Sequence, residues 1–476
     1  MESIQKSRVY IKDLMQNKGK SCCVYGWVDV RRDHGKLVFL DIRDESGAVQ
    51  VVVSPKSDSA YVVAQEVRPE WVVSITGVVQ ERPDNMKNPD ADNGDIEMSV
   101  ENIEVLNSSQ TPPFPLDTDG SEIGEEVRLQ YRYLDLRRKR MQRNIRLRSK
   151  FVQAIRTFLF ENNFVEIETP LLTQATPEGA RDFIVPSRLH QGSFFALPQS
   201  PQQYKQLLMV GGFEKYFQIA RCLRDEDLRA DRAFEHTQID MEMSFVSEED
   251  VRSFDEAMIT AVYESMGCTI KQKPFPIFSY AEAMEQFGAD KFDLRTQEEK
   301  DNGVLAFAWV IDFPFFEKNK QGEWTFTHNP FSLPKREHLD DLKQKNNLEH
   351  ILSHQYDLVC NGYEIGSGSI RTHDPDILKQ VFTILGYNEE QIQQEFQHIL
   401  TAFSFGAPPH GGIAHGVERL LMLIAQEEYL REVQAFPQTS SGKTAVMNAP
   451  SYLSDQQLQE LGISVIKQDN NAPPSP

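Results

Sequence analysis

The sequence predicts an α+β protein built in at least two parts, and three observations predict it. Apolar and polar residues alternate through the first hundred residues, as strands do. A Pro- and Ser-rich stretch follows at 107–124, and beyond it helical and strand-like segments mix to about Pro450. At 476 residues the chain exceeds one ordinary domain, and its 40% hydrophobic and 25% charged residues are the composition of a globular protein.

In the first part, Val24, Gly26, Val28 and Val30 alternate with Tyr25, Trp27 and Asp29, the period of a half-buried strand. Four more strand-like runs follow at 36–43 (KLVFLDIR), 48–54 (AVQVVVS), 71–80 (WVVSITGVVQ) and 95–106 (DIEMSVENIEVL). Glu45-Ser46-Gly47 supplies a turn, and Ser57–Val67 reads as a helix between the third and fourth strands. Five strands with a helix after the third fit a small closed barrel of the OB type, a fold that often binds nucleic acid but does not by itself establish function. Residues 1–107 are assigned to this barrel, 108–133 to a hinge, 134–450 to the larger domain and 451–476 to a C-terminal extension. In the larger domain, 143–162 has helical spacing, with Phe151, Ile155, Phe158 and Leu159 on one side. The end, DNNAPPSP, is polar and Pro-rich and is expected to be a loose tail.

No apolar run reaches the roughly 18 residues of a membrane span, and the start, MESIQK, lacks a signal peptide's apolar core. A soluble cytoplasmic protein is therefore expected. The five cysteines form no Cys-x-x-Cys pair, so simple thiols are expected rather than disulfides or a zinc site. The net charge of −21 runs against a nucleic-acid partner, yet basic residues crowd the stretch from Arg128 to Arg148. From charge alone, that cluster fits a phosphate-facing surface or a solvated helix face equally well.

Three segments concentrate charge and glycine beside apolar strands. The first, 164–182 (FVEIETPLLTQATPEGARD), is a strand-like stretch that meets Pro170 and becomes a loop. In the second, 216–245, two strand-like pieces flank a loop crowded with arginines and carboxylates. On the far strand Gln238, Asp240 and Glu242 alternate and share a face, which suits a charged ligand; a solvated hairpin is the bland reading. In the third, 356–371 (YDLVCNGYEIGSGSIR), Asp357 and Glu364 precede what reads as a glycine-rich turn at Gly366 and Gly368, with Arg371 after it. Paired carboxylates are hard-oxygen ligands suited to magnesium when phosphates complete the shell. Further on, Arg419 falls near the start of a helical run at Leu420–Ile424, where the helix dipole disfavours a cation, so a functional reason is worth seeking. Ser441-Gly442-Lys443-Thr444 fails as a P-loop because Pro437 stands where the first glycine belongs. His410 and His415 flank what reads as a Gly-rich turn with no third ligand in view, a weak case for zinc.

These segments resemble the signature motifs of class II aminoacyl-tRNA synthetases. RCLRDEDLRADRAFEHTQIDMEMSF resembles motif 2, GVERLLML motif 3, and the Phe164–Leu172 stretch the end of motif 1. With PQSPQQYKQLL (198–208) and WVIDFPFFE (309–317), the pattern is similar to the bacterial type of aspartyl-tRNA synthetase from about Tyr25 to Ser451. The resemblance implies a catalytic domain with an antiparallel sheet flanked by helices, ATP as substrate with Mg2+, L-aspartate and its tRNA as partners, and a homodimer. Arg224 and Arg419 would grip ATP phosphates, with Glu226 and Gly416 at the nucleotide and Glu364 and Asp357 on magnesium. Ser200, Gln202 and Asp240 would surround the amino-acid ammonium, with Glu178 on a loop closing over it. Lys205 and Arg371 would meet its side-chain carboxylate, Gln238 would line the pocket, and His328 sits on a mobile loop in the family's pattern. On the barrel the resemblance places the tRNA anticodon near Arg32, Phe39, Gln50 and Glu97. From the residues alone, Phe39 fits a core position as well as a stacking one. A histidine such as His34 often accompanies relaxed discrimination between aspartate and asparagine tRNAs in this family, and Asn85, in the second loop tied to that choice, leaves it open.

The chain departs from the pattern in three places. Only 296–308 separates DKFDLR (290–295) from WVIDFP, where bacterial members carry a sizeable insertion domain. Ala233-Phe234 replaces the usual Gln-Pro, putting an ATP contact at position 233 in doubt. Gln438 stands where lysine is common, putting one tRNA contact in doubt. Rival readings are a synthetase for asparagine or lysine, a synthetase-like paralogue that does not charge tRNA, and an RNA-binding protein with an inactive catalytic domain. The Lys205 and Arg371 pair argues against an amide substrate, and the full set of motif residues argues against inactivity.

Overall fold

Alternating apolar residues in the first hundred positions bury one face of each strand, and closing the sheet on itself covers that face. In the computed structural model, which describes residues 8–175 and 179–466, strands β1 (Ser21–His34), β2 (Leu37–Asp44), β3 (Gly47–Val53), β4 (Val72–Glu81) and β5 (Ile96–Asn107) form a closed barrel in the order β1-β2-β3-β5-β4. Helix α1 (Asp58–Glu66) follows the third strand. Val24, Leu40, Ile42, Val51 and Ile75 fill the interior without measurable exposure.

One expectation for the barrel fails. Val30 does not continue the inward series: a bulge between Val28 and Val30 shifts the register and leaves Val30 36% exposed. An extra residue in one strand re-aims the side chains beyond it. Past the bulge β1 presents polar residues, and Arg32 pairs in register with Phe39 on β2.

The chain divides into two units, Met1–Gly120 and Ser121–Pro476. The second is built on an eight-stranded sheet. Its strands are β6 (Val165–Glu166), β7 (Lys215–Leu223), β8 (Glu235–Ser244), β9 (Ile277–Ser279), β10 (Phe307–Ile311), β11 (Gln355–Cys360), β12 (Tyr363–Ile370) and β13 (His410–Gly416). Their order is β9-β10-β11-β12-β13-β8-β7-β6. The central strands are antiparallel, and only the edge pairs β9–β10 and β6–β7 run parallel. Helices α2 (Lys139–Glu161), α4 (Glu248–Ser265) and α5 (Val417–Ala425) supply apolar residues to the core with this sheet, and the shorter α3 (Gln202–Val210) packs beside β8. Phe151, Ile155 and Leu159 of α2 are buried in that core, and Phe158 packs against it. Among the described residues no helix is long and apolar enough to cross a membrane.

Two sequence expectations are corrected here. Gly366 and Gly368 lie inside β12; the turn falls at Asn361-Gly362, both with positive φ (53° and 91°). A Cβ at Gly366 would overlap the His415 ring, and one at Gly368 would overlap Tyr356 and the Gly412 carbonyl. These strand glycines therefore allow close approach rather than a turn. His410 and His415 likewise sit in a strand, β13, and neither is exposed.

The basic stretch at 128–148 is for the most part not a solvated face, because most of its arginines are paired with carboxylates. Asp135 is buried and accepts from Arg132 at 2.7 Å and Arg138 at 2.8 Å. Arg128 reaches Glu432 at 2.9 Å, Arg140 pairs with Glu427, and Arg148 pairs with Glu418 at 2.9 Å. Burial alone would raise the Glu432 pKa, but Arg128 and its neighbours outweigh it and hold the carboxylate below its usual range. Removing one partner of such a web leaves uncompensated buried charge. Asp135→Asn is therefore expected to lower unfolding stability by about 3–5 kcal/mol, read from urea denaturation; a loss under about 1 kcal/mol would show that the web contributes little.

Candidate active site

Alternation along β8 determines which side chains reach the cavity beside the sheet. Residues two apart share a face, and His236, Gln238 and Asp240 all line a cavity of about 650 Å3, within the usual range for a ligand site. Ser200, Gln202 and Lys205 reach it from α3 and the residue pair before that helix. Arg224, Glu226 and Arg232 reach it from the loop between β7 and β8, and Glu364 and Arg371 from β12 and its end. His328, Gly416 and Arg419 complete the wall. The side chains expected at one site thus meet at one cavity, save Asp357, which lies behind it, and Glu178, which lies outside the described residues.

The floor is a buried charge cluster. Lys205 Nζ lies 2.9 Å from Asp240 Oδ1 and 3.3 Å from Glu242 Oε2, and Arg371 Nε donates to Glu242 Oε1 at 3.0 Å. None of the four residues is more than 3% exposed. Burial raises the Asp240 pKa, and Lys205 offsets only part of the rise. Burial also acts to raise that of Glu242, but Arg371 and Lys205 outweigh it and the carboxylate stays low. Among the described residues Asp240 Oδ1 meets only the Lys205 ammonium, so this carboxylate in the cavity wall keeps acceptor capacity to spare.

The opposite wall is cationic. Among the described residues the buried Arg224 Nε has no acceptor, an unspent donor. Arg419 donates to the Glu364 carbonyl at 2.7 Å and pairs with Asp231 at 3.1 Å. Those partners account for a cation tolerated in the first turn of α5. Arg232 pairs with Glu226 at 2.8 Å. Between the arginines, burial together with Arg224 and Arg419 pushes the His236 pKa down to about 3, so its imidazole is neutral at any physiological pH.

Glu364 lines the cavity from β12, and it pairs with Lys291 at 2.7 Å. Asp357 is buried and accepts from Gln355 at 2.9 Å, and its other oxygen lies 3.0 Å from His328 Nε2. Among the described residues no group of three or more His, Cys, Asp or Glu side chains could enclose a metal. A cavity carboxylate such as Glu364, without two more ligands gathered round it, suits a magnesium ion that draws most of its ligands from phosphate and water. His410 and His415 go to separate partners: His410 contacts Gln206 at 3.1 Å, and His415 contacts Asp255 at 2.6 Å.

Two site residues escaped the sequence reading, His236 and Lys291. His236 follows the two-residue step of β8; extending the Gln238–Asp240–Glu242 alternation one step back would have found it. Lys291 had no local signal.

On the barrel, Arg32, Gln50 and Glu97 form one polar row. Arg32 donates to Asp41 at 2.9 Å and Gln50 at 3.4 Å, and Gln50 and Gln80 donate to Glu97 at 3.1 and 2.9 Å. Phe39 is absent from the barrel core that holds Val38 and Leu40, so it faces outward, with the His34 ring edge-on at 5.9 Å. Asn85 lies on a separate exposed turn, Asp84–Met86.

The His328–Asp357 pair makes a pH prediction. Burial works to lower the His328 pKa, but Asp357 outweighs it and the net value is raised; Asp357 stays lowered despite its burial. The stability contributed by His328 is full below its unfolded pKa of about 6.5 and is lost as pH rises through the folded value. That of Asp357 is present above about 3.9 and is lost as pH falls through its own depressed value. By NMR titration His328 should show an inflection above about 6.5 in the wild type and below it in Asp357→Asn; an unmoved inflection would contradict the pairing.

Residues 124–440 match the family model of class II tRNA synthetases (D, K and N), and residues 22–106 match that of the OB-fold nucleic acid binding domain. The chain is 40% identical to an aspartate–tRNA(Asp/Asn) ligase of Rubrobacter xylanophilus over 94% of its own length and 95% of the relative's. It is 37% identical to an aspartate–tRNA ligase of Staphylococcus epidermidis over 92% and 96%. The first alignment runs over 575 positions and takes in 94% of this 476-residue chain, so that relative carries roughly 130 with no counterpart here. Among solved structures, the asparaginyl-tRNA synthetase of Pyrococcus horikoshii complexed with asparaginyl-adenylate shares the fold with a TM-score of 0.72, at 23% identity, over 90% of this chain and 98% of that one. The motif residues gathered at one cavity, the OB barrel and these matches agree: the chain belongs to the class II tRNA synthetases of the aspartate, lysine and asparagine group.

Proposed function

We propose that this enzyme joins L-aspartate to tRNA through an aspartyl-adenylate. The observation that carries the choice of amino acid is the buried Lys205–Asp240–Glu242–Arg371 cluster. Lysine and arginine offer only donors, so they suit a side-chain carboxylate, whereas an amide would turn its own NH2 toward donors. The spare acceptor on Asp240 suits the substrate ammonium, with Gln202 and Ser200 beside it.

The chemistry needs no general base, because the attacking group is the ionised α-carboxylate of the amino acid. Its oxygen bonds to the α-phosphorus of ATP, and the bond to pyrophosphate breaks. Arg224, with its unspent Nε donor, stabilises the charge that develops on the phosphoryl oxygens, and Arg419 holds the phosphate chain. Glu226, Gly416 and the neutral His236 line the nucleotide side. Glu364, backed by Asp357, would hold Mg2+, which neutralises phosphate charge. A terminal ribose hydroxyl of tRNA then attacks the aspartyl carbonyl and releases AMP.

The polar row on the barrel, with Phe39 outward for stacking, supports anticodon binding there. His34 beside Phe39, together with relatives named for both tRNAs, favours a second reading in which asparagine tRNA is charged as well. The roughly 130 unmatched positions fit an insertion missing at 296–308. Exposed apolar residues around motif 1, Phe160, Val165, Leu171 and Leu172, fit a homodimer interface.

Charging of purified aspartate and asparagine tRNAs with labelled aspartate tests this function. Both tRNAs are expected to accept it. Charging of the aspartate tRNA alone would remove the second reading, and charging of neither would remove the first. Arg371→Gln should lower kcat/KM for aspartate about a hundred-fold or more, the scale of a broken buried charge pair; unchanged kinetics would take Arg371 out of recognition.

A further inference from the structure

Lys291 enters the cavity from the segment between α4 and β10, outside all three class II motifs. The neighbouring Phe292 is buried against Val310, Phe313 and Val359, and its carbonyl accepts from the Gly362 N–H at 3.0 Å. This anchors the segment to the β11–β12 turn, two residues from Glu364. From that anchor the Lys291 ammonium contacts Glu364 Oε2 at 2.7 Å, on a carboxylate that lines the cavity.

We propose that Lys291 is a stand-in cation on Glu364, excluding free divalent metal from the site until ATP brings its phosphates. The inference rests on the synthetase reading, through the assignment of Glu364 to magnesium. An ammonium and a hydrated divalent ion compete for one carboxylate oxygen, and with Asp357 engaged by His328 and Gln355 the protein adds too few ligands to favour the metal. With ATP present, phosphate oxygens supply the missing ligands and the balance reverses. Lys291 is a positioning residue for the metal, and it imposes an order in which nucleotide and metal enter together.

The test is Mn2+ binding to the full-length protein, followed by EPR, with and without ATP. Without ATP, Lys291→Met should bind Mn2+ about ten-fold more tightly than the wild type; solvent around the 42%-exposed Lys291 side chain keeps the effect from being larger. Lys291→Arg, which keeps the charge, should bind as weakly as the wild type, and adding Glu364→Gln to Lys291→Met should abolish the gain. With ATP the difference between wild type and Lys291→Met should shrink. Equal Mn2+ affinity of wild type and Lys291→Met without ATP, in protein that still charges tRNA with aspartate, would overturn the proposal and leave the synthetase reading intact. Wild-type protein that charges no tRNA would overturn that reading and, with it, the assignment on which the proposal stands.

Discussion

A charge taken out of water must be met by an opposite charge in good geometry, or the fold loses several kcal/mol. This chain places Lys205, Asp240, Glu242 and Arg371 together at the floor of its cavity, all essentially without solvent contact. Two cations and two carboxylates balance, so the floor is stable when no substrate is bound. The balance also limits what can enter. A ligand must bring an ammonium for the spare Asp240 acceptor and a carboxylate for the donors, and aspartate carries both. The groups that choose the substrate therefore also hold β8, α3 and the end of β12 in place.

The same constraint works away from the cavity. Asp135, Glu432, Glu427 and Glu418 neutralise the arginines that start α2 and lie before it, and Glu418 also accepts from the Thr237 N–H of β8 at 2.9 Å. Glu418 precedes Arg419 in α5, so the web that docks α2 also fixes the helix carrying a phosphate-side arginine. Close packing between strands adds the other part of the positioning. Glycines in β12 let His415 and Tyr356 press against it, which seats Glu364 and Arg371 at the two ends of one strand.

Much of this was legible because the signals are local. Five strands and one helix of the barrel follow from alternation and turn residues, and the shared face of Gln238, Asp240 and Glu242 follows from a two-residue period. What was not legible depends on partners distant in sequence. Gly366 and Gly368 read as a turn because the reasons for them, His415 and Tyr356, come from other strands. The basic stretch looked free because Glu427 and Glu432 lie nearly three hundred positions away. The bulge that exposes Val30 adds no residue type that marks it, and Lys291 meets Glu364 only through the packing of Phe292. Phe39 was undecided from sequence because either face of a strand accepts a phenylalanine; closure of the barrel around Val38 and Leu40 decides it.

The central claim is that the neutral floor cluster selects aspartate at the activation step, before tRNA is involved. Amino-acid-dependent exchange of pyrophosphate into ATP, measured without tRNA, tests it most directly. The account predicts rapid exchange with aspartate and at least about a hundred-fold lower kcat/KM with asparagine, the scale on which a site built for charged hydrogen bonds rejects an uncharged analogue. Comparable exchange with both amino acids would contradict it.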